Sequence, residues 1–335
     1  MRSVVRIQRW IIAIVLLALA APLFAQNSAL PLATIEAVDR TIVQINSVRE
    51  NGGRVSRGSG SGIIVDQSGL ILTAEHVVNR TTQLEVVLRT GEALPARVVG
   101  VDPVFDSALM RVDARRPLPT ASLGVSSLLQ QGDLVTVFGR APRRQGSPTS
   151  GVFIEVDLDV RPGAPYLRST AVAYPGDSGG ALVNERGEVV GLIVAISRDG
   201  SISLSVAVDA VKGILPDLRA GVVRHPWIGI IGTTITDELA QELALAVRSG
   251  VLILEVVEGG PAAQAGLRGG RAGAPRDIPR GGDVIAAIDG RPVATFGGLA
   301  AYILSKRIGD TVTLDIIRNG QAFTTTVVLA ERPTL

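Results

Sequence analysis

A chain of 335 residues, 46% hydrophobic and 19% charged, can bury ordinary cores and has room for two or three domains, which excludes wholesale disorder. A net charge of +2 gives no ground for nucleic acid as a partner, and the absence of cysteine removes a disulfide framework and thiolate metal sites. The basic residues are nearly all arginine, Lys212 and Lys306 being the exceptions; we read this as compositional bias.

In chain order, Arg2, Arg6 and Arg9 precede an apolar run over 11–21, broken by Pro22 ahead of Leu23-Phe24-Ala25. Residues 1–25 therefore read as an export signal. The alternative is an uncleaved membrane anchor over 10–25, short of the roughly 20 residues that span a bilayer. Either reading places the remainder in the cell envelope, on the outer side of the cytoplasmic membrane. Residues 26–31 read as a polar linker and 32–47 as a helix or helix–strand entry. Between 62 and 208 come short apolar segments at 63–65, 70–73, 84–88, 96–99, 109–112, 134–138, 152–156, 181–183, 189–196 and 203–208. Gly, Pro and Asp turns separate them, which predicts an all-β body of two barrels. A closing helix is expected over 208–218, before Gly221.

After His225-Pro226 the texture becomes mixed α/β, dividing the exported chain into 26–220 and 221–335. Thr236 before Asp237 and Glu238 is a helix N-cap with an acidic first turn. Pro261 and Gly266 bracket a miniature helix. Leu299, Tyr302 and Ile303 give a helical apolar face within 298–307, and Asn319-Gly320 is a hairpin turn between strands at 311–318 and 322–329. The insert 268–282, with Arg268, Arg271, Arg276 and Arg280 among glycines and prolines, reads as a solvated loop.

The chemistry concentrates at Pro175-Gly176-Asp177-Ser178-Gly179-Gly180. A serine flanked by glycines sits where the backbone turns sharply. There its own amide and that of Gly176 can face one cavity beside the hydroxyl, the arrangement a tetrahedral oxyanion requires. Only two histidines can serve as base. His225 precedes a proline in the interdomain connection, whereas His76 ends the apolar run beginning at Gly69, so elimination selects His76. Asp106, leading into the strand at 109–112, fits the orienting carboxylate, while Asp102 before Pro103 reads as a turn residue. Glu75-His76 lacks a second histidine four residues on, so no zinc site is expected. The Gly58–Gly62 run precedes a strand, which does not suit dinucleotide binding.

Three blocks in this order, Gly58-Ser59-Gly60-Ser61-Gly62-Ile63-Ile64-Val65 with Leu72-Thr73-Ala74-Glu75-His76-Val77-Val78, then Asp106-Ser107-Ala108-Leu109, then Gly176-Asp177-Ser178-Gly179-Gly180-Ala181-Leu182-Val183, resemble the HtrA/Deg family of trypsin-like serine proteases with a C-terminal PDZ domain. The resemblance implies a mainly β fold: a chymotrypsin-like double β-barrel followed by an α/β PDZ domain. It implies acyl transfer by Ser178, His76 and Asp106, with oxyanion donors from the amides of Gly176, Asp177 and Ser178, no cofactor and no metal. Unfolded proteins and peptides are the substrates it suggests. Val172, Ala173, Val194, Ala195 and Ile196 would line the specificity pocket; lacking an acid, they favour an aliphatic residue before the scissile bond. In the PDZ domain, Trp227, Ile228, Gly229 and Ile230 would hold a peptide's terminal carboxylate, with Leu299, Tyr302 and Ile303 selecting an apolar last residue. A homotrimer follows from resemblance alone, since residues 26–40 carry none of the aromatics that family trimers pack. Asp177 stands where the family usually has asparagine. Two other readings are a membrane-tethered regulatory protease with one signalling substrate, and a proteolytically dormant PDZ or chaperone-like binding protein.

Overall fold

The computed structural model describes residues 30–140, 148–271 and 278–333. The expected export signal or anchor, most of the 26–31 linker and the centre of the arginine-rich insert lie outside the described residues. No helix among the described residues is long and apolar enough to cross a membrane.

After α1 (Leu32–Asp39), the first six strands are β1 (Ile42–Asn51), β2 (Arg54–Asp66), β3 (Leu70–Thr73), β4 (Gln83–Val87), β5 (Ala93–Asp102) and β6 (Ser107–Val112), with the one-turn α2 (Glu75–Val78) after β3. They close into a barrel in the order β1-β2-β3-β6-β5-β4. The next six are β7 (Leu134–Phe138), β8 (Thr149–Asp157), β9 (Tyr166–Ser169), β10 (Ala181–Val183), β11 (Val189–Ile196) and β12 (Ser203–Ala207). They form a second closed barrel, β10-β11-β12-β9-β8-β7, in which each strand has the neighbours of its counterpart in the first. Ile42, Ile45, Ile63, Ile71, Leu109 and Met110 fill one interior; Val135, Val137, Leu167, Leu182 and Ile193 fill the other. Closure leaves no open sheet edges, so short strands suffice. The expected two-barrel body is thus what forms, with β1 emerging from the predicted helix–strand entry.

Helix α3 (Val208–Ala220) closes the body and stops at Gly221, whose φ of 84° is a left-handed cap. The C-terminal unit comprises β13 (Pro226–Trp227), β14 (Ile230–Thr234), α4 (Asp237–Glu242), β15 (Val251–Val256), α5 (Pro261–Gln264), β16 (Val284–Ile288), β17 (Arg291–Pro292), α6 (Phe296–Leu304), β18 (Thr311–Arg318), β19 (Gln321–Val328) and β20 (Ala330–Glu331). Strands β14-β15-β16-β18-β19 make one sheet and β13 pairs with β20. Thr236 caps α4 by accepting the Leu239 amide at 3.2 Å, as its sequence position predicts. Leu299 and Ile303 pin α6 to the core of this sheet. The first turn of α6 reaches back to the barrels, where the Gly297 amide donates to Asp159 at 2.8 Å.

Candidate active site

His76 lies in α2, at the end of the buried strand β3, and Asp106 in the four-residue turn between β5 and β6. Strand β6 pairs with both β3 and β5, which brings that turn beside α2. The Asp106 carboxylate then accepts twice from one residue: the His76 amide donates to Oδ1 at 3.0 Å and the ring Nδ1 to Oδ2 at 2.8 Å. A carboxylate partner makes Nδ1 the donor and leaves the lone pair on Nε2, the form of imidazole that can take a proton. The Asp106 side chain is 10% exposed and that of His76 44%, so the carboxylate is shielded while the imidazole remains open. Asp106 itself has φ 46°, a backbone conformation uncommon outside glycine, asparagine and aspartate. Next to the pair, burial first and then the negative charge of Asp106 push the Glu75 carboxyl above its ordinary range.

Ser178 sits in the loop joining β9 to β10, in the second barrel. The Asp177 amide donates to Tyr174 O (2.9 Å), the Gly179 amide to Ile193 O (2.7 Å) and the Gly180 amide to Asp177 O (2.8 Å). The amides of Gly176 and Ser178, on either side of Asp177, donate to no group among the described residues. The Asp177 N–H, expected as a third donor, is bonded within the turn. Its carboxylate, fully buried, accepts the Tyr174 amide at 2.9 Å and braces the same turn.

Sequence reading missed what holds this loop in place. Ser61, fully buried in β2, donates its amide to Ser178 O (2.8 Å) and its hydroxyl to Gly176 O (2.8 Å). The same hydroxyl accepts the Arg140 amide (2.7 Å), and the Ser61 carbonyl accepts Thr73 Oγ1 (2.7 Å). Gly179, with φ 84°, is pressed so closely against this seam that a Cβ would lie 2.2 Å from both Ser61 O and Thr73 Oγ1. The serine loop thus abuts the residues leading into His76. No hydrogen bond among the described residues joins the Ser178 hydroxyl to the His76 ring. The signal in the sequence was a serine set between glycines at the entry to an apolar strand.

Of the expected specificity residues, Ala173 and Val194 are buried in the core clusters and Val172 is half-buried, its carbonyl accepting the Thr149 hydroxyl. Ala195 and Ile196, where β11 pairs with β12, are exposed. In the C-terminal unit, Ile228 and Gly229 are buried between β13 and β14, and their carbonyls accept the amides of Ala262 and Val257. Their own amides donate to nothing among the described residues, whereas Ile230 enters β14 against Val256 and Trp227 pairs with Ala330. Leu299 and Ile303 are buried as expected. The Tyr302 hydroxyl donates to Asp289 (2.9 Å), and Arg291 and Lys306 flank the ring at 5.3 and 4.6 Å. His225, read as a connector, is buried with its Nε2 2.9 Å from Asp102 Oδ1. No group of three or more metal-binding side chains exists among the described residues.

Two six-stranded barrels with a His–Asp pair and a glycine-bounded serine loop define a trypsin-like serine peptidase followed by a second, α/β module. The sequence matches the trypsin-like peptidase domain over residues 60–192 and the PDZ domain over 226–329. It is 33% identical over 291 residues to the serine protease HhoA of a Synechocystis strain, covering 82% of this chain and 71% of that one. It is 30% identical over 292 residues to the periplasmic serine endoprotease DegP of Salmonella typhimurium, covering 84% of this chain and 59% of that one. The chain thus spans about three fifths of the DegP relative. Among solved structures, the HtrA-type protease AlgW with a decapeptide superimposes with a TM-score of 0.74 at 25% identity, covering 90% of this chain and 98% of AlgW. A serine endoprotease from Yersinia pestis does so with a TM-score of 0.67, also at 25% identity, covering 90% and 97%. The chain belongs to the HtrA/Deg family of serine-type endopeptidases with a PDZ domain.

Proposed function

We propose that Ser178, His76 and Asp106 are the catalytic triad of an envelope endopeptidase that cleaves unfolded protein, and that the PDZ domain receives peptide C-termini. Ser178 Oγ attacks the peptide carbonyl as its proton passes to His76 Nε2; the C–N bond breaks as His76 returns that proton to the leaving amine, and water reverses the sequence to free the acid. Asp106 keeps Nδ1 protonated and stabilises the imidazolium. The observation that carries this reading is that the amides of Gly176 and Ser178 donate to nothing else among the described residues, while the His76–Asp106 bond is already made. Donors free to face developing negative charge are each worth about 10²–10³ in turnover. The test is hydrolysis of unfolded casein by the full chain and its Ser178→Ala variant, with labelling by a fluorophosphonate. Casein turnover and labelling should both vanish in the variant; retained turnover overturns the assignment.

The uncharged surface of Val172, Ala195 and Ile196 supports cleavage after small or branched aliphatic residues, so a valine peptide should outpace its arginine counterpart. Division into a protease domain, 26–220, and a PDZ domain, 221–335, accords with the end of α3 at Ala220 and the start of β13 at Pro226. The two buried, unpaired amides of Ile228 and Gly229 support capture of a terminal carboxylate, with the peptide adding as a strand along β14. Amidating such a peptide should weaken binding strongly. Relatives named as periplasmic support an envelope location. Trimerisation and a tether through residues 10–25 are extensions of the same family reading, to be tested by sedimentation and membrane fractionation.

A further inference from the structure

Asp102 and Ser107 form the last register pair of β5 and β6, so residues 103–106 are a four-residue turn ending in Asp106. The Asp102 carboxylate, 1% exposed, folds into this turn and accepts the amides of Val104 (2.9 Å) and Phe105 (3.3 Å). Its third partner comes from 123 residues away: His225 Nε2, at 2.9 Å. The imidazole also packs against the edge of the Phe105 ring, with centroids 5.2 Å apart and planes at 75°. His225 is fixed from its own side, since its carbonyl accepts the Arg332 amide (2.9 Å) and the next residue opens β13, paired with β20. A second grip on the turn is Arg161, which donates to Pro103 O at 2.6 Å.

We propose that His225 is a positioning residue for Asp106, acting through Asp102 and Phe105, so that the root of the PDZ domain sets the geometry of the triad. The inference rests on the triad reading above. Asp106 holds a left-handed backbone conformation that persists only when its surroundings over-determine it, and it bonds both the amide and the ring of His76. What keeps the turn from rocking about its two strand ends is the carboxylate inside it and the aromatic ring beside Asp106. His225 touches both. Without the imidazole, a buried carboxylate loses one of three donors and Phe105 loses its packing surface, which frees the carboxylate that orients His76. A displacement of about 1 Å in a catalytic constellation can cost about 10² in turnover.

With only two histidines in the chain, the imidazole N–H spectrum of the full chain labelled with ¹⁵N-histidine is simple. Wild type should give two hydrogen-bonded ring N–H signals, assigned by loss of one in Asp106→Asn and of the other in His225→Gln. His225→Ala should shift or broaden the His76 signal and lower kcat on casein about tenfold while KM stays within about twofold. His225→Gln, which keeps a donor for Asp102, should restore the His76 signal and at least about a third of kcat, whereas His225→Leu, similar in bulk but without a donor, should not; equal rescue by leucine overturns the proposal. A folded His225→Ala protein with an unchanged His76 signal and unchanged kcat overturns the proposal. Should that variant not fold, Asp102→Asn serves: its single side-chain oxygen cannot serve the turn amides and His225 as the carboxylate does, and an unmoved His76 signal again overturns the proposal. The spectrum makes no reference to turnover, so failure here is distinct from failure of the triad, which retained casein cleavage by Ser178→Ala would reveal.

Discussion

The two barrels share one strand order yet contribute to the site in different ways. The first supplies a finished piece: His76 and Asp106 come from adjoining parts of one barrel and are joined by two hydrogen bonds of their own side chains and backbone. The second supplies a loop that bonds itself and Ile193 of β11 and is braced from the other barrel by Ser61, whose carbonyl the Thr73 hydroxyl holds. The difference teaches that the His76–Asp106 side of the site is set locally, whereas the Ser178 side is set by docking. Damage to the first should leave the second intact, but damage to the seam should fall on the serine loop.

The largest expected effect is on the locally set half. Asp106→Asn keeps the shape but exchanges an acceptor for an amide that can impose the wrong tautomer on His76; kcat should fall about 10⁴-fold with the fold intact by circular dichroism. A loss below tenfold would mean that the preformed pair does not govern turnover. Next, Gly179→Ala forces a Cβ into the carbonyl of Ser61 and the hydroxyl of Thr73 at a φ of 84°. It should destabilise the chain by about 2 kcal/mol or more and abolish fluorophosphonate labelling while the His76 ring signal persists. Loss of both signals in a folded protein would blur the two halves into one unit.

Ser61→Ala tests docking more gently. It removes the hydroxyl that bridges Gly176 O and Arg140 N while sparing the amide bond to Ser178 O. Turnover should drop about 10–10²-fold, and unfolding should cost about 1–3 kcal/mol less. The smallest effect concerns Glu75. Its folded carboxyl titrates above the unfolded one, chiefly through burial and then through Asp106. The folded state therefore favours the protonated form, and that contribution is present below the unfolded pKa and lost as pH rises through the folded value. Glu75→Gln, always neutral, should match wild type at acid pH and show a small gain in denaturant stability above the carboxylate range.

Much of the local structure was legible because periodicity and turn chemistry are local. The segments at 70–73, 134–138, 181–183 and 189–196 coincide with β3, β7, β10 and β11, and Thr236, Gly221 and Asn319-Gly320 mark the ends their chemistry favours. Strand β9 was hidden because Tyr166–Ser169 ends in the polar Arg168-Ser169 and follows a proline that reads as a turn. At the site, spacing and residue type led to His76, Asp106 and Ser178. The partners that arrange them did not declare themselves, because Ser61 and Gly176 stand 115 residues apart and Asp102 and His225 123 apart. Asp102 was legible as a turn residue, which it is; that its carboxylate also takes a distant imidazole follows only from the tertiary fold. The bond from the Tyr302 hydroxyl to Asp289 was not legible, because residue type and helix face do not say where that hydroxyl finds a partner.

The seam at Ser61 also bears on when the molecule becomes dangerous to its neighbours. A contact spanning 115 residues carries a large loop-closure cost and forms late, after the local hairpins on either side. A chain still emerging or beginning to unravel holds Ser178 in a loop without its Ser61 brace. The loop that carries Ser178 thus gains its Ser61 brace only once both barrels are complete.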